Sequence, residues 1–113
     1  MSRDEVYLLD IFDAARLAMQ YVRGKSRDEF LADVQTQDAV IRRLAIIGEA
    51  ARRVSEAARQ AMPDLPWRQM VGMRNIVIHE YDDVDLEVVW DAVTRDLPLL
   101  AAALAKRLPT QEP

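Results

Sequence analysis

Apolar residues recur at intervals of three and four along most of the chain, which is the spacing of one face of an α-helix. From Arg3 to Arg23 this pattern predicts a first helix, with Gly24 as its C-cap glycine. Ser26 and Glu29 have the spacing of a capping box and predict a short second helix from Arg27 to about Asp33. The stripe predicted to be buried on the first helix consists of Tyr7, Leu8, Ile11, Phe12, Ala15, Ala18, Met19 and Val22.

A third helix is predicted to have Thr36 as its N-cap and to continue unbroken to about Met62. Residues 63–66, with the sequence PDLP, end it, because proline lacks an amide hydrogen and clashes with the preceding turn. Pro66 suits the first turn of a fourth helix, predicted from Trp67 to about Glu80. The stripe predicted to be buried on the third helix consists of Val40, Leu44, Ile47, Ala51, Val54 and Ala58.

The last helix is predicted to span Leu86 to Leu108, with Asp85 as its N-cap and a bend at Pro98. Residues 109–113 are predicted to be a disordered tail. Residues 1–108 are thus predicted to form a single all-α domain. Four main helices and a short one, joined by short connections, favour an antiparallel helical bundle.

Composition agrees with one soluble globular domain. The chain has 113 residues, of which 50% are hydrophobic and 30% are charged. The lack of cysteine excludes disulfides, thiolate metal sites and a cysteine nucleophile. The first residues do not have the layout of a signal peptide, and the longest apolar run, LPLLAAALA, has about half the length of a membrane span. We expect a cytoplasmic protein without a membrane partner.

The charged residues are unevenly composed. The formal net charge of −4 argues against indiscriminate binding of nucleic acid. Thirteen of the 15 basic residues are arginine, whose planar guanidinium suits paired contacts to phosphates or carboxylates. Ion pairs on helix surfaces would explain the same composition, so composition alone does not decide between these uses.

The segment MRNIVIHEYDD, residues 73–83, contains the only histidine of the chain, His79, together with an arginine and a tyrosine. On a helical wheel, Arg74 lies in the middle of an apolar stripe. A guanidinium keeps its charge, so it must pair with a carboxylate, for which Glu49 is a candidate, or open into a crevice or interface. The stripe consists of Trp67, Met70, Val71, Arg74, Val77, Ile78 and Tyr81.

The opposite side of this helix carries Arg68, Gly72, Asn75 and His79. In an ideal helix, Arg74 and His79 point about 140° apart. They converge only if the helix unwinds near His79 or if a second chain supplies one of them, which favours a site at the helix end and at a subunit interface. Taken singly, each residue also has a structural explanation: a hydrogen-bonding histidine, an ion-paired arginine and a packing tyrosine.

The stretch RNIVIHEY resembles the signature of HepT-like proteins within the HEPN group, which is an arginine, four residues, a histidine, any residue and a tyrosine. Asn75 matches the polar residue that often follows the arginine. Residues 47–100 also resemble the family in the segments IGEA, PWR, GMRN and VDLEVVW.

This resemblance implies a homodimeric bundle of HEPN type with the motif helices near the two-fold axis. It also implies a ribonuclease that needs no metal or other cofactor, acting as the toxin of a type VII-like toxin–antitoxin pair. The implied partner is a minimal nucleotidyltransferase, similar to MntA, that silences the toxin by AMPylating the motif tyrosine, here Tyr81.

The implied chemistry suits these residue types. Cleavage of RNA through its 2′-hydroxyl needs a base, an acid and positive charge on the developing phosphorane. His79 titrates closest to neutral pH, and Arg74 supplies a forked cation. With one histidine per chain, we expect two His79 side chains of a dimer to act as base and acid. Asn75 would support them by orienting the histidine or the phosphate.

Three other functions agree with the same sequence. The chain could be a non-catalytic HEPN module that binds nucleotide or RNA, in which Arg74 and His79 form an anion-binding pair. It could be the antitoxin that restrains a toxic nucleotidyltransferase. It could also be a purely structural bundle in which Arg74 is paired to Glu49.

Overall fold

Helix α3 (Val34–Arg53) lies between α1 (Arg3–Tyr21) and α5 (Trp67–Ile78) and packs along both of them. The computed structural model describes residues 2–78 and 85–108, with the side chains of all of these except 76–78. All regular secondary structure in this part of the chain is helical, which confirms the predicted all-α class. The other elements are α2 (Arg27–Leu31), α4 (Glu56–Ala61), α6 (Leu86–Asp91), a π-helical segment (Ala92–Asp96) and α7 (Leu97–Ala105).

Helices α1 and α3 are antiparallel, as predicted. At the start of α1, the Asp4 carboxylate accepts hydrogen bonds from the Ser55 amide at 2.9 Å and hydroxyl at 2.7 Å, just beyond the end of α3. These hydrogen bonds lower the pKa of Asp4. At the end of α1, Arg43 Nε donates to the Tyr21 hydroxyl at 3.2 Å. The two contacts fix opposite ends of α1 against α3.

The hydrophobic core is built around α3, because both of its neighbours bury their apolar faces against it. The stripe predicted for α3 is confirmed from Val40 to Val54, and Ala58, now in α4, packs half-buried at its edge. Helix α7 contributes Leu97, Leu100 and Leu104 from the last part of the chain. The fully buried residues of α1 and α3 include Ile11, Ala15, Ala18, Val40, Leu44, Ile47 and Ala51.

Local signals placed several helix ends correctly. Ser26 and Glu29 form the predicted capping box, and Asp85 accepts hydrogen bonds from the amides of Glu87 and Val88 as the predicted N-cap. Gly24 has a φ of +79°, the conformation that favours glycine after a helix. Helix α1 ends two residues earlier than predicted, at Tyr21, and α2 ends at Leu31 rather than near Asp33.

The predicted N-cap of the third helix is wrong. Helix α3 begins at Val34 with Asp33 as its cap, since the Asp33 carboxylate accepts from the Thr36 amide at 3.1 Å and the Thr36 hydroxyl at 2.7 Å. These hydrogen bonds, together with Lys25 at 3.2 Å, lower the pKa of Asp33 to about 2. Thr36 thus serves as the partner of the cap three residues into the helix.

The prediction of one unbroken helix to Met62 is also wrong. Helix α3 ends at Arg53, Val54 adopts an extended conformation, and Ser55 caps a separate helix α4 by accepting from the Ala58 amide. Arg59 compensates for the lost helical hydrogen bonds by donating to the carbonyls of Ala51, Arg52 and Val54. Val54, at the break, is buried in the core, with only 3% of the residue exposed.

The connection into α5 and the final helical path follow the prediction more closely. Helix α5 begins at Trp67, and its predicted end near Glu80 lies outside the described residues. A π-helical segment occupies the turn before Pro98, where the bend was expected. The last helix, α7, ends at Ala105 rather than Leu108. Such a segment suits this position because proline cannot donate the next helical hydrogen bond.

Residues 109–113, predicted to be a tail, lie outside the described residues. Among the helices described, none is both long enough and apolar enough to cross a lipid bilayer.

Candidate functional site

Arg74 lies at the edge of the buried face of α5. Met70 and Met73 on this helix are 0% and 3% exposed, and the half-buried Trp67 and Val71 pack against the core beside them. The prediction had left Met73 out of the buried stripe. Arg74, the next residue, has 37% of its side chain exposed, and Asn75 is exposed. The arginine therefore stands where the packed interface of α5 meets solvent.

The backbone of α5 at Arg74 rests directly on Gly48 of α3. A Cβ atom placed on Gly48 would lie 2.6 Å from the Arg74 nitrogen and 2.7 Å from the Arg74 Cβ. Both distances are too short for any side chain, so only glycine permits this approach. Gly48 thus fixes how close α5 comes to α3 at the arginine.

Glu49 holds the guanidinium of Arg74. Its Oε2 atom lies 2.5 Å from Arg74 Nε, which confirms the carboxylate partner that the sequence suggested. The contact of this ion pair is made at Nε, and 37% of the Arg74 side chain stays exposed to solvent. A partly exposed guanidinium fixed in this way can still offer its fork to a phosphate.

Two further arginines surround the same carboxylate. Arg52 and Arg53 approach Glu49 Oε1 at 3.7 and 3.9 Å, from one turn further along α3. Three guanidinium groups thus share a single negative charge, which leaves an excess of positive charge in this part of the surface. Such a cluster attracts anions more strongly than an isolated ion pair would.

The structure brings Arg74 and Glu49 together and places Asn75 one residue further along α5, on the exposed surface. His79 and Tyr81 lie outside the described residues, so their roles stay predictions. Within the described ranges, no three histidine, cysteine or acidic side chains are grouped as metal ligands.

Sequence reasoning had missed the contribution of Gly48. A signal for it was present, because a glycine inside a helix weakens that helix and is retained there when another backbone must come close. Gly48 and Glu49 are adjacent in the sequence IGEA, and each acts on Arg74 in a different way.

Comparison with known proteins identifies a family that this chain matches. A family model described as "Ribonuclease HepT-like" matches residues 11–107. The chain is 41% identical over 100 residues to "Probable ribonuclease HepT" of Thermococcus cleftensis, with 88% of this chain and 91% of that protein covered. It is 38% identical over 100 residues to MJ1380 of Methanocaldococcus jannaschii, whose name assigns it provisionally to the RNases, with 87% and 92% covered. No solved structure matches the chain.

Proposed function

The chain belongs to the HepT-like ribonuclease family, and we propose that it is an endoribonuclease in which Arg74 and His79 are the catalytic residues. The observation that carries this proposal is the state of Arg74. Gly48 and Glu49 hold it in place from two sides, and more than a third of its side chain is still open to solvent. An arginine that served only to pair with Glu49 would not need the surrounding excess of positive charge.

The proposed reaction begins at the 2′-hydroxyl of the RNA. One His79 removes the proton from this hydroxyl, and the 2′-oxygen attacks the adjacent phosphorus. Arg74 stabilises the charge on the phosphorane oxygens. As the bond from phosphorus to the 5′-oxygen breaks, a second His79 protonates the leaving oxygen, giving a 2′,3′-cyclic phosphate and a free 5′-hydroxyl.

The proposed reaction requires a homodimer and gives a supporting role to Asn75. Because each chain contributes one histidine, the scheme needs a homodimer in which the two His79 side chains face one phosphate. Asn75, which is exposed beside Arg74, would orient the histidine or the phosphate by hydrogen bonding. No step requires a metal ion, and the substrate must be RNA because DNA lacks the nucleophile.

The purified dimer is expected to cleave single-stranded RNA in the presence of a metal chelator. The products should carry 2′,3′-cyclic phosphate and 5′-hydroxyl ends, and an RNA with a 2′-deoxy substitution at the cut site should stay intact. Gel analysis with end-group chemistry measures both. Binding of RNA without any cleavage would overturn the nuclease proposal and favour a non-catalytic binding module.

The proposal extends to regulation. As the toxin of a toxin–antitoxin pair, the protein would be silenced when an MntA-like nucleotidyltransferase transfers AMP to Tyr81. The transferred group is a bulky phosphodiester anion, only seven residues from Arg74 in the sequence. It would compete with RNA for the guanidinium and repel the RNA backbone. The predicted cytoplasmic location agrees with such a role and stays a prediction.

Co-expression with an MntA-like nucleotidyltransferase is expected to add one or more adenylyl groups to the intact mass of this chain. Tyr81→Phe should remove the increment, because the acceptor oxygen is lost while the ring is kept. The matched control is Tyr21→Phe, which should leave the increment unchanged. An increment that persists in Tyr81→Phe would place the modification elsewhere. Growth arrest by the nucleotidyltransferase alone, relieved by this chain, would reverse the two roles.

A further inference from the structure

A cleft opens between α1 and α3 on the surface next to Arg74. Its volume is about 300 Å³, at the lower end of the range of sites that bind small molecules. Helix α1 contributes Tyr7 and Asp10 to the lining. Helix α3 contributes Arg42, Ile46, Glu49 and Arg53, which recur along one of its faces.

Glu49 connects this cleft to the proposed catalytic arginine. The same carboxylate lines the cleft and contacts Arg74 Nε at 2.5 Å. A molecule in the cleft would therefore reach the carboxylate that pairs with the guanidinium we assign to the scissile phosphate. This proximity makes the cleft a continuation of the proposed site rather than a separate one.

The aromatic and apolar lining residues of the cleft suit a nucleobase. Tyr7 is half-buried against the core, so its ring is held in place at little further cost in entropy. Ile46, also half-buried, provides an apolar surface in the same lining. Aromatic rings in such positions bind bases by stacking, which tolerates any base. The carboxylates of Asp10 and Glu49 can accept hydrogen bonds from base amino groups or ribose hydroxyls.

The ends of the cleft suit phosphates. Arg42 and Arg53 are eleven positions apart in the sequence, which places them about 16 Å apart along α3. Both are exposed. Within the described part of the chain Arg42 makes no ion pair, and Arg53 has only the 3.9 Å contact to Glu49. Two long, exposed cations, one toward each end of the cleft, can reach phosphates on either side of a bound nucleoside.

The distribution of charge along the chain supports an anionic ligand here. Residues 34–78 contain seven arginines and four acidic residues, a net charge of +3, although the whole chain carries −4. The positive charge is thus concentrated in the part of the chain that holds α3 and Arg74. The lining of the cleft itself is balanced, with Arg42 and Arg53 against Asp10 and Glu49, so the attraction for a polyanion comes from the other arginines of this range.

We propose that the cleft between α1 and α3 binds the nucleoside next to the scissile phosphate, with its base against Tyr7 and its phosphates near Arg42 and Arg53. The proposal rests on the proposed ribonuclease function, since it extends that site by one nucleotide. It makes Tyr7 and the two arginines binding residues for the RNA, without a part in proton transfer.

The test uses a short RNA in which the cut site of the parent protein has been mapped. Two further RNAs have the same sequence and lack a single base each, one just before the cut and the other just after it. Removal of one base is expected to raise KM for the parent by about 5- to 150-fold, the loss of one stacking contact. Tyr7→Leu should raise KM for the intact RNA by a similar factor and be insensitive to that base removal. Tyr7→Phe, which keeps the ring, should retain the sensitivity to that base removal that Tyr7→Leu loses.

Arg42→Ala is expected to weaken RNA binding and to make the affinity less sensitive to salt concentration, because one phosphate contact is lost. Arg95→Ala, which removes an exposed arginine outside the cleft, is the matched control and should have no such effect. If the parent cleaves RNA but Tyr7→Leu keeps the parent's sensitivity to both base removals, the cleft is not a nucleoside site. If the parent does not cleave RNA at all, the proposed function itself fails. Thermal melts of each variant separate loss of binding from loss of fold.

Discussion

His79→Ala is expected to lower kcat for RNA cleavage by about 10²- to 10⁴-fold, which is the usual contribution of a general acid or base. The effect is large because the chain has no second histidine that could take over either proton transfer. Binding of an uncleavable 2′-deoxy RNA should change much less, since the imidazole acts mainly in the transition state. Single-turnover cleavage and fluorescence anisotropy measure the two effects separately. A variant that cleaves as fast as the parent would contradict the assignment of His79.

Arg74→Lys complements this experiment because it keeps the charge and removes the planar fork. If Arg74 stabilises the phosphorane, cleavage should fall by about 10²-fold, comparable with loss of one such donor in other enzymes. The free energy of unfolding should change little, since lysine can still pair with Glu49 at this partly exposed position. A purely structural arginine would give the reverse result, with a loss of stability and normal cleavage.

Gly48→Ala is expected to destabilise the protein by about 1–3 kcal/mol, the usual cost of overpacking an interior contact. At an open helix position the same change would stabilise by about 0.4–1 kcal/mol. Here the clash outweighs that gain, because the added Cβ would lie 2.6 Å from a backbone nitrogen of α5, which cannot move alone. Displacement of α5 should also lower RNA cleavage by at least about tenfold, since Arg74 is carried with it.

Gly72→Ala is the matched control for this prediction. Gly72 lies on α5, and among the described residues no atom outside the backbone of its own helix turn lies within 4 Å of a Cβ placed there. Chemical denaturation should show that Gly72→Ala is neutral or slightly stabilising, while Gly48→Ala is clearly destabilised. Equal free energies of unfolding for the two variants would mean that the close approach of α3 and α5 does not constrain the fold.

The sequence by itself determined the helical class and those helix boundaries that depend on a few neighbouring residues. The capping box of Ser26, the cap at Asp85 and the positive φ of Gly24 each arise from contacts within four residues. The motif RNIVIHEY and the segments around it pointed to the HepT-like family, which the family comparison confirmed. These features are readable because local geometry and side-chain chemistry are enough to specify them.

Other boundaries required contacts that the sequence does not display. The break at Val54 and Ser55 depends on Asp4, which is distant in the sequence and accepts two hydrogen bonds from Ser55. The helical period alone continues through this position, so a local pattern predicts one helix. Similarly, Asp33 and Thr36 are both good cap residues, and the choice between them depends on where the chain leaves α2.

At the site, the sequence supplied the residue types and the tertiary structure decided their environment. It could name Glu49 as a possible partner for Arg74, but only the packing of α5 on Gly48 places the two charges in contact. The cleft beside them exists because α1 and α3 lie side by side, which brings Tyr7 and Arg53 into one lining. Periodicity in the sequence defines the buried face of each helix. The distance between two helices and their relative position follow from the side chains that lie between them, and at Gly48 from the absence of one.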